Sequence, residues 1–193
     1  MKLVCSSAGS NNLPDFTEKL TECYAEIDVT NRWQGDVYPK EKFSEGVLPT
    51  PEVPYWMLVN RTCQLFVGEG RETKLPYLNF VAVVPLSDYI KNLNQGLNRA
   101  IPELVKGKLE GILFLPDYPE GDLNEHLVVN FNLIYTVHVD KSPEASDKLM
   151  QLSSPFCEYA FQKFSRYFYT VGYDDKNIKS KSFIKTIVDK YSK

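Results

Sequence analysis

The sequence predicts an α+β fold in which a small, strongly bent antiparallel sheet or a partly closed β-barrel is flanked by helices. Two runs rich in aromatic and β-branched residues, 56–67 and 77–84, enclose a glycine-containing turn and indicate a strand pair. Helix-type spacing of apolar residues appears towards both ends of the chain. Hydrophobic residues make up 43% of the 193 positions, enough for a core. We therefore expect one domain over 1–193, with its sheet at 33–140.

The amino-terminal part is predicted to be a helix within 10–28. Its apolar residues recur at three- and four-residue steps as far as Ile27. A short strand at 32–38 follows, and then a loop at 39–54 whose prolines exclude regular structure. A loop of that length in a compact domain is expected to be functional or mobile.

The rest of the chain is predicted to alternate strands and helices before ending in a helical region, 141–193. The expected elements are a helix capped by Ser87 or Asp88 and reaching about Leu104, strands at 109–115 and 127–139, and helices beginning at Ser142, at Ser154 and near Phe183. Together these elements complete the α+β prediction.

Charge and cysteine usage narrow the setting. Residues 141–193 hold 10 Lys or Arg against 6 Asp or Glu in a chain of net charge −3. This basic end could contact nucleic acid or an acidic partner, although a solvated lysine-rich helix is the simpler interpretation. Four cysteines lie far apart without a CxxC pair, which favours reduced thiols in a cytoplasmic protein. We expect no membrane span and no cofactor, since no apolar run of about 18 residues and no phosphate- or metal-binding motif occurs.

Some side chains could carry chemistry, and each also has a structural interpretation. Asp36 is either a catalytic carboxylate or a turn residue that binds backbone amides. Arg61, Thr62 and Cys63 are expected on one strand, so that Arg61 and Cys63 share a face. Cys63 is expected to be a buried, inert thiol; the alternative, a nucleophile, would need a neighbouring base.

The two histidines, His126 and His138, are predicted on one face of the long strand. At roughly 3.3 Å per residue they would lie about 40 Å apart. They are therefore not expected to share a metal or to act as an acid–base pair, although a dyad of one of them with Cys63 stays open.

Basic and polar residues near the hairpin and on the carboxy-terminal helices are candidate contacts for RNA, DNA or a protein partner. These residues are Arg61, Thr62, Arg71, Lys74, Lys163, Arg166, Lys181 and Lys185. Association of copies of the chain is also open.

Three segments, in this order, resemble the PemK/MazF toxin family, whose fold is an SH3-like barrel. Residues 35–37 (GDV) resemble that family's early "GD-I/V" strand, residues 56–60 (WMLVN) its "ALVVSN" strand, and residues 81–87 (VAVVPLS) its "VIVAPIT" strand.

The chain is more similar to a broader, poorly characterised bacterial group with "QGD" and "QTCDL"-type motifs. The corresponding segments are 34–36 (QGD), 61–65 (RTCQL) and a helix pattern at 152–172. The resemblance covers about 33–90 and 150–172.

The resemblance implies an endoribonuclease that uses Ser87 together with Arg61 or Arg71. Two departures weaken that implication: residues 53–55 (VPY) lack the family's arginine, and Gln64 replaces the broader group's aspartate. Because a cation and a carboxylate are both lost, we predict a non-catalytic binding module of a bacterial mobile-element, phage-defence or toxin–antitoxin system. The alternative is a PemK/MazF-like endoribonuclease without a metal, and a third hypothesis is a hydrolase dependent on Cys63.

Overall fold

The computed structural model describes residues 23–48, 52–65, 75–92, 97–117, 123 and 125–170. The strands are β1 (Tyr24–Ala25), β2 (Val37–Pro39), β3 (Tyr55–Leu58), β4 (Tyr77–Pro85), β5 (Ile112–Leu115), β6 (Leu127–His138) and β7 (Gln151–Leu152). The α-helices are α1 (Thr62–Leu65), α2 (Leu86–Lys91), α3 (Leu97–Val105) and α4 (Phe156–Thr170). Short 3-10 turns occupy Lys40–Lys42, Val139–Lys141 and Ala145–Asp147.

The main sheet is antiparallel and five-stranded, with the order β2-β3-β4-β6-β5. Strands β4 and β6 form its centre and pair from Tyr77↔His138 to Pro85↔Leu127. The register shifts between Val81 and Ala82, because Val81 faces residue 134 of β6 whereas Ala82 faces residue 130. Such an irregularity bends a strand and increases its twist.

Both faces of the sheet are covered by apolar side chains. On one face, Met57, Val81 and Phe131 pack with Phe156 and Ala160 of α4. The core on the opposite face is built around four large buried residues, Trp56, Leu58, Leu78 and Phe80. It is closed by Phe43 and Val53 from the proline-rich segment and by Leu65 from α1, while Leu104 of α3 packs on Ile112 and Val128.

The α+β prediction is confirmed: a small antiparallel sheet carries helices, and the five strands do not close into a barrel. The strand predicted at 77–84, the long strand at 127–139 and the helix after Ser154 are present within a residue or two. A two-stranded sheet pairs β1, near the start of the described residues, with β7, which precedes α4.

The single strand predicted at 56–67 is wrong. Strand β3 ends at Leu58, and the chain turns into α1 at Thr62. Here a side chain takes the place of a backbone partner in the strand pairing: the Asn60 side-chain oxygen accepts the Asn79 amide hydrogen at 2.6 Å. Because the Asn79 amide already has this acceptor, the chain can leave the sheet after Asn60. Residues 62–65, although predicted as strand, then form a helical turn.

Two helix predictions also need correction. The helix expected from Ser87 to about Leu104 is two helices, because Asn92 leaves helical geometry after Lys91 and α3 begins at Leu97. Ser87 is the second residue of α2 rather than its cap. The end of the helix expected within 10–28 is wrong as well, since β1 occupies Tyr24–Ala25. The remainder of that helix, the 66–74 hairpin end and the helix near Phe183 lie outside the described residues.

Candidate active site

A cleft of about 370 Å³ opens where β4 passes into α2. The Leu86 amide donates a hydrogen bond to the His126 carbonyl at 2.8 Å, which fixes the start of α2 against the segment that leads into β6. This backbone contact brings Ser87 to Glu125 and His126, although they are 38 or more residues apart in sequence. The cleft is lined by Leu86, Ser87, Ile90, Asp117, Glu125 and His126.

Ser87 and Glu125 are in direct contact across the cleft. The Ser87 hydroxyl donates to Glu125 Oε2 at 3.3 Å. One helical turn later, the Lys91 ammonium donates to Asp88 at 2.7 Å. Its pKa is raised by that hydrogen bond and by the charge of Asp88, with a further contribution from the charge of Glu125. A cation therefore lies within electrostatic reach of the carboxylate at Glu125.

The imidazole of His126 is held by Asp117. Its Nδ1 accepts the Asp117 amide hydrogen at 2.9 Å, and Asp117 Oδ1 lies 3.3 Å from the same nitrogen. The Phe114 ring supports the imidazole at a centroid distance of 5.2 Å. Because Nδ1 accepts a hydrogen bond, the neutral ring carries its proton on Nε2. After protonation, Asp117 Oδ1 offers an acceptor for the new Nδ1 hydrogen, so one residue serves both forms of the ring.

Tyr55, the first residue of β3, lies close to the Ser87 cleft through its electrostatic contact with Glu125. Burial is the main reason that the pKa of the Tyr55 phenol is raised, and the negative charges of Glu125 and Glu41 raise it further. The Tyr55 phenol therefore lies near Glu125, the carboxylate that Ser87 contacts, and it offers a hydroxyl group there.

The cleft combines a hydroxyl, carboxylates and an imidazole, and the Lys91 ammonium lies within electrostatic reach of Glu125. A carboxylate and an imidazole are side chains that commonly transfer protons as general base and general acid. Such a pair can catalyse cleavage of an ester or phosphodiester. No group of three or more His, Cys, Asp or Glu side chains placed to hold a metal ion occurs among the residues that the structure describes.

The structure does not bring Arg61 to Ser87. Arg61 follows Asn60, which binds the Asn79 amide, whereas Ser87 lies beyond the Pro85 end of the same strand β4. About 20 Å of extended strand separates these two ends at roughly 3.3 Å per residue. Arg71 and Lys74, like Lys181 and Lys185, lie outside the described residues.

Thr62 and Cys63 lie on α1, so the expectation that Arg61 and Cys63 share a strand face is wrong. The Thr62 hydroxyl accepts the Gln34 amide hydrogen at 3.3 Å, which ties α1 to the turn before β2. Cys63 is exposed, and the expectation of a buried thiol is wrong too. Because α1 leaves the sheet, a position that would be internal in a strand becomes a surface position.

Asp36 serves as a turn residue and lies wholly inside the protein. Its Oδ2 accepts the Trp33 amide hydrogen at 2.6 Å and the Tyr38 hydroxyl at 3.1 Å, and it pairs with Lys148 Nζ at 2.7 Å. Burial raises the pKa of the Asp36 carboxyl, and these three donors oppose the rise. A carboxylate enclosed in this way positions the chain and has no route to a substrate.

The two histidines occupy opposite ends of β6, in agreement with the prediction that they do not pair. His138 contacts the Tyr77 ring at a centroid distance of 5.3 Å, and its Nδ1 accepts the Asp140 amide hydrogen at 3.4 Å. Sequence reasoning missed the placement of His126 beside Ser87, because its partner Asp117 comes from a turn nine residues earlier and Ser87 from another strand end. The sequence did contain a signal for this contact: Asp117 lies in the turn after the strand predicted at 109–115, and His126 lies at the start of the next predicted strand.

No family model matches the chain, and no curated protein sequence is significantly similar to it. Among solved structures, one described as "Endoribonuclease from Mycobacterial species" matches 75% of this chain and 95% of its own, with 12% identity and a TM-score of 0.37. That description agrees with the endoribonuclease alternative rather than with the non-catalytic module, but a likeness this distant carries no argument. Over the described residues, no helix has the length and apolar character needed to cross a lipid bilayer.

Proposed function

We propose that the chain is an endoribonuclease that cleaves RNA by general acid–base catalysis at the Ser87 cleft. The observation that supports this proposal is the placement of a carboxylate, Glu125, and an oriented imidazole, His126, on one cleft with the Ser87 hydroxyl. The substrate class comes from the resemblance of residues 81–87 to the PemK/MazF strand that ends in a threonine. The proposal replaces the non-catalytic module as the preferred function, because the carboxylate that the sequence motif lacks is supplied by another part of the chain.

In the proposed step, Glu125 takes the proton of a ribose 2′-hydroxyl while the 2′-oxygen forms a bond to the adjacent phosphorus. The bond from phosphorus to the 5′-oxygen breaks, and the protonated His126 ring gives its Nε2 hydrogen to that leaving oxygen. The hydrogen that remains on Nδ1 then faces Asp117 Oδ1. The products are a 2′,3′-cyclic phosphate and a free 5′-hydroxyl, so all atoms and protons are accounted for.

The negative charge that develops on the phosphate needs a positive partner in a site with two carboxylates. Lys91 is the described cation that lies on the same helix face as Ser87, one turn further along α2. We assign it the stabilising role that the arginine has in the toxin family. Release of Lys91 from Asp88 as the phosphate binds would place the ammonium against the substrate.

The test is incubation of the full chain with a mixed RNA pool in the presence of EDTA. We expect cleavage that leaves 2′,3′-cyclic phosphate ends, and no cleavage of DNA or of fully 2′-O-methylated RNA, since both lack the attacking hydroxyl. His126→Ala and Glu125→Gln should each lower the rate by roughly 10²- to 10⁴-fold.

His138→Ala is the matched control. This histidine lies at the other end of β6, is 40% exposed against 43% for His126, and also has an aspartate partner for Nδ1. It should keep full activity. If RNA stays intact at high protein concentration, or if both histidine variants lose activity equally, the endoribonuclease proposal is refuted and the binding-module prediction regains its place. The toxin–antitoxin or phage-defence setting and the cytoplasmic location stay predictions.

A further inference from the structure

A second cleft, of about 390 Å³, lies at the end of α3, and three of the residues that line it are basic. It is formed by the 107–111 turn and by Lys163, Arg166 and Tyr167 of α4, and we name it the Gly107 cleft. Lys108 adds a third positive charge, against a single carboxylate from Glu110. A positive excess at one cleft of an acidic chain is the electrostatic pattern of an anion site.

The turn and the helix are built to fit closely together. Gly107 adopts a left-handed conformation with φ +65°, and a Cβ there would overlap the Tyr159 hydroxyl. Gly111 has φ +67°, and a Cβ there would lie 2.9 Å from the Tyr167 ring. Because both glycines admit α4 side chains that a larger residue would exclude, the cleft has a defined shape.

Lys163 is half-buried in this cleft and has no carboxylate partner in the part of the chain that the structure describes. Among the described residues its ammonium donates one hydrogen bond, to the Gly107 carbonyl at 2.7 Å, so two of its three N–H groups remain for a ligand. Burial lowers the pKa of Lys163 to about 8, and no negative group offsets that effect. A bound anion would supply the missing negative charge.

Arg166, one turn after Lys163 on α4, also lines the Gly107 cleft. Burial raises the pKa of the Tyr159 phenol, and the positive charge of Arg166 opposes that rise, so the guanidinium lies near the Tyr159 hydroxyl. Since that hydroxyl borders Gly107, the charges of Lys163 and Arg166 converge on one spot. Tyr167 provides an aromatic wall beside them.

We propose that the Gly107 cleft binds a phosphodiester group of a single-stranded nucleic acid. Arginine and lysine side chains are the usual partners of backbone phosphates, and an aromatic side chain beside a basic groove is typical of sites that bind single strands. The combination favours a phosphate attached to a nucleoside over inorganic phosphate, which would use the cations alone. Binding at this cleft requires no cleavage, so the inference goes beyond the proposed ribonuclease.

The Gly107 cleft and the Ser87 cleft lie at opposite ends of β5. Gly111 comes directly before this strand, and Asp117 comes two residues after it. Gly111 and Asp117 are thus separated by about 20 Å at roughly 3.3 Å per residue. One strand of RNA could therefore occupy both clefts, with its phosphate held at one end and its scissile bond at the other.

The test measures binding of a short fluorescent 2′-O-methyl oligoribonucleotide, which cannot be cleaved through its 2′-oxygen. Lys163→Met keeps the apolar stem, and Arg166→Met changes an exposed residue of α4. We expect each variant to bind about tenfold more weakly at low salt, with a salt dependence reduced by roughly one phosphate contact. Lys141→Met, which removes the same charge from the far end of β6, should bind like the unmodified chain.

The pH dependence separates a direct contact from a general charge effect. A phosphodiester keeps its single negative charge across neutral and mildly alkaline pH. The oligonucleotide should therefore bind well while Lys163 is protonated and more weakly as the pH rises through about 8. This fall should be absent in Lys163→Met.

Three results would overturn the proposal. The first is that both cleft variants bind as tightly as Lys141→Met, and the second is that inorganic phosphate displaces the oligonucleotide at equal concentration. The third is that a phosphopeptide of equal charge binds as tightly as the oligonucleotide. His126→Ala should keep full binding, so a failure of the ribonuclease proposal and a failure of this one give different results.

Discussion

Replacing Lys148 with methionine should destabilise the protein more than any other single loss of a lysine charge among the described residues. The Lys148 and Asp36 side chains are both 0% exposed, with 2.7 Å between Lys148 Nζ and Asp36 Oδ2. Lys148 also donates to the Asn31 carbonyl at 2.7 Å. The substitution therefore leaves an uncompensated buried carboxylate and an unpaired carbonyl.

The expected magnitude follows from the burial of the pair. Removing one partner of a buried ion pair costs about 3–5 kcal/mol, because the remaining charge stays away from water. In a domain of this size each kcal/mol lowers the melting temperature by about 2–4 °C, so we expect a decrease of about 6–20 °C. Lys42→Met removes the exposed cation of the pair with Asp147, at 3.2 Å, and should cost about 0–1 kcal/mol.

The pH dependence has a definite sign. Burial raises the pKa of the Asp36 carboxyl above its value in the unfolded chain, because burying the neutral carboxyl costs less free energy than burying the carboxylate. A group of this kind contributes fully at low pH and loses its contribution as pH rises through the folded-state pKa. Without Lys148 this effect increases. The deficit of Lys148→Met should therefore be largest at neutral pH and should shrink under mildly acidic conditions.

The assay is urea unfolding followed by tryptophan fluorescence, for Lys148→Met, for Asp36→Asn and for the double variant. The double variant should cost less than the sum of the two single variants by more than about 1 kcal/mol, since it buries no lone charge. If the two single effects simply add, or if Lys148→Met costs no more than Lys42→Met at neutral pH, the argument from burial is refuted.

Two further predictions concern the turn before β5 and the cysteines. Gly107→Ala should lower the free energy of unfolding by more than Gly46→Ala does. Both glycines have left-handed φ, but only at Gly107 would the new Cβ overlap another group, the Tyr159 hydroxyl. Equal melting temperatures for the two variants would contradict this prediction. Iodoacetamide at neutral pH should alkylate exposed Cys63 much faster than Cys157, because burial raises the pKa of the Cys157 thiol to about 12. Peptide mapping by mass spectrometry measures the two rates, and faster labelling of Cys157 would refute the prediction.

The sheet was the predictable part of the fold, for physical reasons that lie in short stretches of sequence. Strand β4 is a nine-residue run of mostly apolar, β-type residues that ends at Pro85, and α4 follows a Ser-Pro pair with a broad apolar stripe. The end of β3 was not predictable in this way. Residues 61–65 were expected in the strand, and the contact of Asn60 with Asn79 marks the point where the chain leaves the sheet.

The candidate site was predictable only in part, because its members come from three separate segments. Ser87 could be found from a local resemblance, since it follows a strand of recognisable type. Glu125 and His126 join it only through the contact between the Leu86 amide and the His126 carbonyl, and Asp117 comes from a turn after β5. Long-range pairing of β4 with β6 creates these neighbours, and no local pattern encodes that pairing.

The contact between β2 and the segment before β7 has a consequence for synthesis on the ribosome. The Val37 amide donates to the Met150 carbonyl at 3.0 Å, and the Leu149 amide donates to the Val37 carbonyl at 2.8 Å. More than a hundred residues must therefore be translated after β2 before its outer edge is covered, which takes on the order of ten seconds at about 5–20 residues per second. Until then the nascent chain carries an open edge, and a chaperone that binds extended segments is most useful during this interval.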